Sequence, residues 1–453
     1  MPDGKLDRDV PCERLAVSLL PETGRRVNEI AARAQSAGRV PSLALAVVRD
    51  RAVLHFAAAG AQPVPDPQTQ YRIGSITKTL TATMVMQLRD EGFFALDDLL
   101  YRHLPGTSVG GVTLRQLLGH VSGLQREPNG PWWERNPGGD VDRLLADLAF
   151  DKLAGPPFRR FRYSNLAYGL LGAVLQRVTG TTWADLVGKR VLDPLGMTRT
   201  SYAPVEPFAR GYVVHALDGS LHEEPRPDAG AMAPAGQLWS TVTDMATWAG
   251  FLADPPSEVL SPETVDEMCT PVFLSDLESW TSGHGLGPQL YRVGERIYVG
   301  HGGSMPGYVA HLSVHRRSRI GVVAFANAYG MTGTSIQEVG LRALSAVLDA
   351  EPPAPEPWRA PAPPSAEAAP LCGRWWWMGR EFEMRADGDE LTLDEVARPG
   401  RPSRFTREGP DRWRGVDGTN HGEVLAVQRT PDGEVAGLDI ATFVFRRDPR
   451  HLA

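Results

Sequence analysis

The chain has 453 residues, 42% of them apolar and 22% charged, with a net charge of −7. That is ordinary globular usage, long enough for two or three domains, and it excludes wholesale disorder, collagen-like repeats and coiled coil. The acidic balance leaves no basic footprint for nucleic acid. Cys12, Cys269 and Cys372 stand far apart with no CxxC pair, so they read as reduced thiols rather than disulfide partners or metal ligands.

The N-terminal stretch has only a short apolar patch, Leu15 to Leu20, closed by Pro21. It lacks the longer apolar region and small-residue cleavage site of a secretory signal, and no run approaches a membrane span; a cytoplasmic protein is expected. Residues 24 to 38 predict an amphipathic helix. Two strand candidates follow, Ser42 to Asp50 and AVLHFAAAG, and Gly74 precedes a helical pattern from Ser75 to about Glu91. Thr113 and Gln116 form a capping-box pattern. Further helices are predicted over Asn165 to Val178 and Thr241 to Ala253. From about Tyr291 the period changes to two, predicting strands at 291–299, 307–315 and 320–327 and a closing helix at 333–349. One sheet combining both ends of this region, with helices between, is an α+β arrangement.

Eight of the twenty residues from 351 to 370 are proline, which predicts an extended spacer between a domain at 1–350 and a second at 371–453. The second domain reads as short strands punctuated by RADGDE, RPGRPS, VDGTNHG and TPDGE, a small antiparallel barrel or sandwich.

Three short segments carry chemistry. Ser75 and Lys78 are three apart at a helix start and share a face. A serine hydroxyl needs a base, and a desolvated lysine amine can serve as one. The chain holds only four lysines, Lys5, Lys78, Lys152 and Lys189, and only Lys78 follows a serine or threonine by three residues. Tyr163-Ser164-Asn165 precedes a helix; a phenol can relay a proton and an amide can hold both a lysine and a substrate carbonyl. Gly300-His301-Gly302-Gly303-Ser304 lies between two strand candidates, where glycines admit a substrate close to the backbone.

SxxK, YxN and HGG in this order resemble the penicillin-recognising serine enzymes, in the branch of class C β-lactamases, DD-peptidases and serine esterases. YRIGSITKTLTATMVMQLRDEG, TLRQLLGHVSGL, YSNLAYGLLG, DPLGMTRT, APAGQLWSTVTDMATW and GHGGSMPGY carry the likeness over about residues 24 to 349. The resemblance implies a β-lactamase/transpeptidase-like sheet flanked by helices, with a helical subdomain. It implies that Ser75 is acylated, Lys78 is its base, Tyr163 passes the proton to the leaving group, and Asn165 orients Lys78 and substrate. The implied oxyanion hole is the backbone N–H of Ser75 and of Ser304, beside Gly302 and Gly303. His301 matches a position that is lysine in many β-lactamases, a departure that points to peptidase and esterase members. The base role stays open between Lys78 and Tyr163.

No GxSxG, HExxH or Cys/His cluster occurs, so neither an α/β-hydrolase elbow nor a metal or other cofactor is expected. Gly283-x-Gly285-x-Gly287 reads as a loop, and His311 and His315 as one face of a solvated edge strand. Trp132 and Trp133 stand in a Pro/Gly-rich loop that either lines a pocket or packs on itself. Trp375, Trp376 and Trp377 read as filling for the second domain, which resembles the lipocalin-like barrels appended to several members of this family. Arg446 and Arg447 in FVFRRD read either as a holder for a substrate carboxylate or as a solvated strand end.

These readings predict a serine acyl-enzyme hydrolase or acyltransferase acting on an amide, ester or thioester of a small molecule or peptide. The layout also resembles penicillin-binding-protein-type thioesterases of nonribosomal peptide assembly, which implies a stand-alone peptide cyclase and transient contact with a carrier protein as an alternative. A ligand sensor without turnover is the alternative from another class. No nucleic-acid or membrane partner is expected.

Overall fold

The computed structural model describes residues 18–60, 63–148, 152–351, 358–398 and 400–450. Cys12, the start of the N-terminal apolar patch and residues 352–357 of the proline-rich stretch lie outside them. The chain divides into two compact units, Met1–Pro353 and Ala354–Ala453.

In the first unit α1 (Pro21–Gly38) leads into β1 (Ser42–Arg49) and β2 (Ala52–Gly60). A 3₁₀ turn, Gly74–Ile76, then enters α2 (Thr77–Asp90), so the single helix expected from Ser75 is two segments. The helical region follows with α3 (Leu114–Leu118), α4 (Asn165–Thr179) and α5 (Val242–Ala253). The Thr113–Gln116 capping box is formed in both directions.

Strands then come in succession: β3 (Phe273–Leu274), β4 (Ser282–His284), β5 (Gln289–Val293), β6 (Arg296–Met305), β7 (Tyr308–His315) and β8 (Ile320–Ala326), before α6 (Ile336–Ala350). The strand expected at 291–299 is therefore a hairpin turning at Gly294, which has φ +60°. The GHGGS segment is part of β6 rather than a turn between strands. Gly283 likewise belongs to a strand, β4.

The sheet order is β2-β1-β8-β7-β6-β5-β4-β3. N-terminal β1 and C-terminal β8 pair antiparallel, second and third from one edge, joining the two ends of the unit in one sheet as expected. Side chains alternate faces along a strand. Leu43, Leu45 and Val47 enter one core with α1 and α6. Ala44, Ala46 and Val48 enter the other, which holds α2, α4 and α5. A strand covered on both faces reads as an unbroken apolar run, which is what SLALAVV is.

His311 does not face solvent. It is fully buried on central strand β7, with Nε2 3.1 Å from Ser313 Oγ, and His315 is half-buried.

The second unit is one eight-stranded antiparallel meander: β9 (Gly373–Trp377), β10 (Arg380–Asp387), β11 (Glu390–Glu395), β12 (Ser403–Gly409), β13 (Arg412–Asp417), β14 (Val424–Arg429), β15 (Val435–Ile440) and β16 (Phe443–Phe445). Trp376 and Arg446 exchange both backbone hydrogen bonds, at 2.8 and 2.9 Å, and so bring the last strand to the first. That nearly closes the barrel and removes its edges. Trp375 and Trp413 fill its core. Arg447 is no free strand end: its guanidinium lies 3.9 Å from the Trp375 ring centre and donates to the carbonyls of Pro370, Cys372 and Arg374. Cys269 and Cys372 are free thiols.

Candidate active site

Two glycines set the site by letting two backbones touch. Gly74 has φ +51°, and a Cβ there would lie 2.6 Å from Ser304 N. A Cβ on Gly303 would lie 2.0 Å from Ile73 O. Any side chain at either position therefore pushes the 3₁₀ turn away from β6. With both bare, the main chain at Ser75 rests against the main chain at Ser304. β6 pairs with β5 only from Arg296 to Gly300, so His301 to Met305 run on beyond β5 with that edge open.

Lys78 lies one turn into the helical run and has no exposure. Its Nζ donates to Ser75 Oγ at 3.0 Å, Asn165 Oδ1 at 2.8 Å and Ala235 O at 2.6 Å. All three acceptors are neutral, so nothing in direct contact offsets the loss of water. Desolvation brings the amine down to about 7, against a partial upward pull from Glu127 and Glu134.

Tyr163 and Asn165 arrive together at the start of α4. Ser164 caps the helix, accepting from Ala167 N at 3.1 Å and donating to Gln125 O at 2.7 Å. The Tyr163 ring centre is 5.0 Å from Lys78 Nζ, and its hydroxyl is hydrogen-bonded with Ser75. Burial raises this phenol above its usual value, with the Ser75 contact opposing, so it keeps its proton at neutral pH. Asn165 Nδ2 donates to both Glu127 oxygens, at 2.9 and 3.1 Å, which turns its carbonyl oxygen to Lys78.

His301 is 1% exposed, and its Nδ1 is 2.5 Å from Gly302 O. That contact makes Nδ1 the protonated nitrogen and leaves Nε2 as an acceptor with no hydrogen bond among the described residues. Desolvation, reinforced by the Lys78 charge, holds the imidazole well below its ordinary value, and it is neutral. Ser75, Tyr163, His301 and Ser304 line one open cavity of about 440 Å³, with Gln289 and the first turn of α6 opposite.

The structure thus gathers Ser75, Lys78, Tyr163, Asn165, His301, Gly302, Gly303 and Ser304. Trp132 and Trp133 line no part of this cavity. Trp133 is buried and donates to Glu127 at 2.8 Å, while Trp132 is at the surface, edge-on to Tyr329. Arg446 belongs to the barrel unit, where its guanidinium donates to Ala436 O at 3.1 Å. Three contributors carried no sequence signal of their own: Glu127, Gln289 and His120. Glu127 is one acid in an irregular loop. Gln289 accepts from Gly302 N at 3.0 Å and from the Tyr291 hydroxyl, a contact visible only once β5 and β6 pair. His120 stacks on Tyr163 with ring centres 4.3 Å apart. No group of side chains suited to a metal ion occurs among the described residues.

Comparison with known proteins points the same way. The family profile described as Beta-lactamase matches residues 27–345, and a domain of unknown function, DUF7586, matches residues 364–447. "Beta-lactamase-like protein 2" of Dictyostelium discoideum is 30% identical over 269 residues, 56% of this chain and only 48% of that protein's length. Among solved structures, a D-stereospecific amidohydrolase from Streptomyces sp. superposes with TM-score 0.60 at 26% identity, over 73% of this chain and 98% of its own. SurE superposes with TM-score 0.60 at 25% identity, over 94% of this chain and 98% of its own.

Proposed function

The chain belongs to the beta-lactamase family, and from that membership we propose that it is a serine hydrolase or acyltransferase working through acyl-Ser75. The observation that carries this reading is the amine of Lys78, buried, poised near neutrality and 3.0 Å from Ser75 Oγ.

At neutral pH a large share of Lys78 is uncharged and can take the Ser75 proton as Oγ bonds to the substrate carbonyl carbon. The carbonyl oxygen becomes an oxyanion between the N–H groups of Ser75 and Ser304; one such donor is worth about 2.7–4 kcal/mol to the transition state. When the intermediate collapses, the bond to the leaving amine, alcohol or thiol breaks. That group takes a proton from Tyr163, which Lys78 replenishes. The ester at Ser75 is then attacked by water or an amine, whose proton passes back through Tyr163 and Lys78, freeing Ser75. His301 lines the same cavity as a neutral imidazole whose Nε2 is buried. A neutral His301 supplies no cation for a substrate carboxylate, which favours simple amides and esters over β-lactams. The likeness to a D-stereospecific amidohydrolase favours D-configured acyl donors.

The two-unit layout supports a second reading, in which the acyl acceptor is an amine of the same peptide. The outcome is then head-to-tail ring closure of a peptidyl thioester delivered by a carrier protein. Intact-protein mass spectrometry with a p-nitrophenyl ester and a peptidyl thioester tests both readings. Hydrolase and cyclase both give an adduct on Ser75 that turns over, and the cyclic product is lighter than the acid by one water. One equivalent of adduct without turnover leaves a sensor. An absence of adduct on Ser75 overturns the assignment.

A further inference from the structure

His120 follows the Gly119 cap of α3 with φ +56°, in the left-handed region that Gly favours and that Asn, Asp and His adopt more readily than other side chains. It is wholly buried. A buried polar residue whose left-handed backbone is held in place beside a reaction centre has its side chain and carbonyl fixed by the surrounding fold. Its main-chain carbonyl accepts from Arg162 N at 2.9 Å, and its Nδ1 accepts from Ser164 N at 3.1 Å. These two bonds bracket Tyr163 on either side. Between them the imidazole lies along the phenol ring, 4.3 Å away and inclined by 27°. The left-handed backbone is what presents the carbonyl and the ring to the same short segment. Packing alone does not ask for histidine here, since a phenylalanine fills similar space; only an acceptor satisfies the buried N–H of Ser164.

We propose that His120 is a positioning residue, which fixes the segment carrying Tyr163 and Asn165 so that the phenol and the amide meet Ser75 and Lys78. This rests on the reading of those residues as the acylation machinery. The groups around His120 are Phe161, Tyr163, Tyr168 and His284, with Lys78 and His301 further off. It acts as a neutral acceptor and its own titration plays no part. Its loss is felt at Lys78, whose surroundings are Tyr163, Tyr168, Glu127, Glu134, Arg126, His120 and His301. Loosening Tyr163 and Asn165 lets water reach the amine and moves its titration upward.

The test is stopped-flow acylation by p-nitrophenyl acetate across pH, with the Ser75 adduct verified by mass, in wild type, His120→Asn, His120→Gly and His120→Phe. Asparagine tolerates the left-handed backbone and offers an oxygen to Ser164 N–H, so it retains acylation of the same order as wild type. Glycine keeps the backbone and loses the acceptor; phenylalanine keeps the ring and loses the acceptor. Both lose about 100-fold in acylation rate, with KM level and the acid limb of the pH profile shifted upward. If phenylalanine prevents folding, the asparagine–glycine pair carries the comparison. Acylation and pH profile unchanged in the glycine variant overturn the proposal. So does a loss shared equally by the asparagine variant. A wild type that forms no Ser75 adduct removes the reading beneath it instead, which separates the two failures.

Discussion

A lysine amine held away from water, with only neutral acceptors around it, gives up its proton near pH 7, and the chemistry proposed at Ser75 depends on that. Ser75→Ala is expected to abolish turnover while leaving the melting temperature within a few degrees of wild type, as a thermal scan beside an ester assay will show. Lys78→Arg keeps a permanent charge and cannot accept a proton, so its acylation rate falls nearly as far. Glu127 pulls the Lys78 titration upward. Glu127→Gln removes that charge and keeps an oxygen for Asn165, so the acid limb of the kcat/KM profile moves to lower pH; an upward move contradicts the electrostatic account. Ser75, Lys78, Tyr163, Asn165 and His301 were singled out in the sequence by SxxK, YxN and HGG taken together and in order, which carry the family resemblance. Glu127, Gln289 and His120 were not, since each acts through a contact made by a distant segment.

Among the elements, the approach of the 3₁₀ turn to β6 is the joint that aligns the backbone donors at Ser75 and Ser304. Gly303→Ala places a methyl 2.0 Å from Ile73 O and forces the two apart. Its acylation rate is expected to fall by about 10²–10³, the size of a lost oxyanion donor; a wild-type rate would show that the donors lie elsewhere. SLALAVV announced a strand, and one sheet joining strands from both ends of the unit was expected; that the strand is covered on both faces and pairs with β8 came only with the structure. The β5–β6 hairpin did not show, because Gly294 and Glu295 interrupt an otherwise even period-two pattern by only two residues. His311 misled for a related reason: alternation places a residue on a face, and says nothing of whether a helix such as α6 covers that face.

At the scale of the molecule, the first unit buries four neutral imidazoles, His120, His284, His301 and His311. Desolvation takes His284 and His311 down to about 3, and His120 and His301 well below their ordinary value. Unfolded, all four bind protons near pH 6.5, so between there and the folded values the unfolded chain holds more protons. Stability of this unit therefore falls as pH drops below about 6.5, with uptake of about four protons on unfolding; a melting temperature flat from pH 7 to 4.5 contradicts this. The proline richness of 351–370 was plain in composition, but the division between the units falls between Pro353 and Ala354, so most of that stretch belongs to the second unit. That the last strand returns to the first through Trp376 and Arg446 was not plain in the sequence, since backbone pairing leaves no mark on residue type. The most direct measurement of the whole account is the rate of Ser75 acylation by a p-nitrophenyl ester as a function of pH, followed by intact mass. The account predicts a single adduct on Ser75 whose rate rises through an acid limb near pH 7. An adduct on another residue, or a Ser75 rate that does not change between pH 5 and 9, would contradict it.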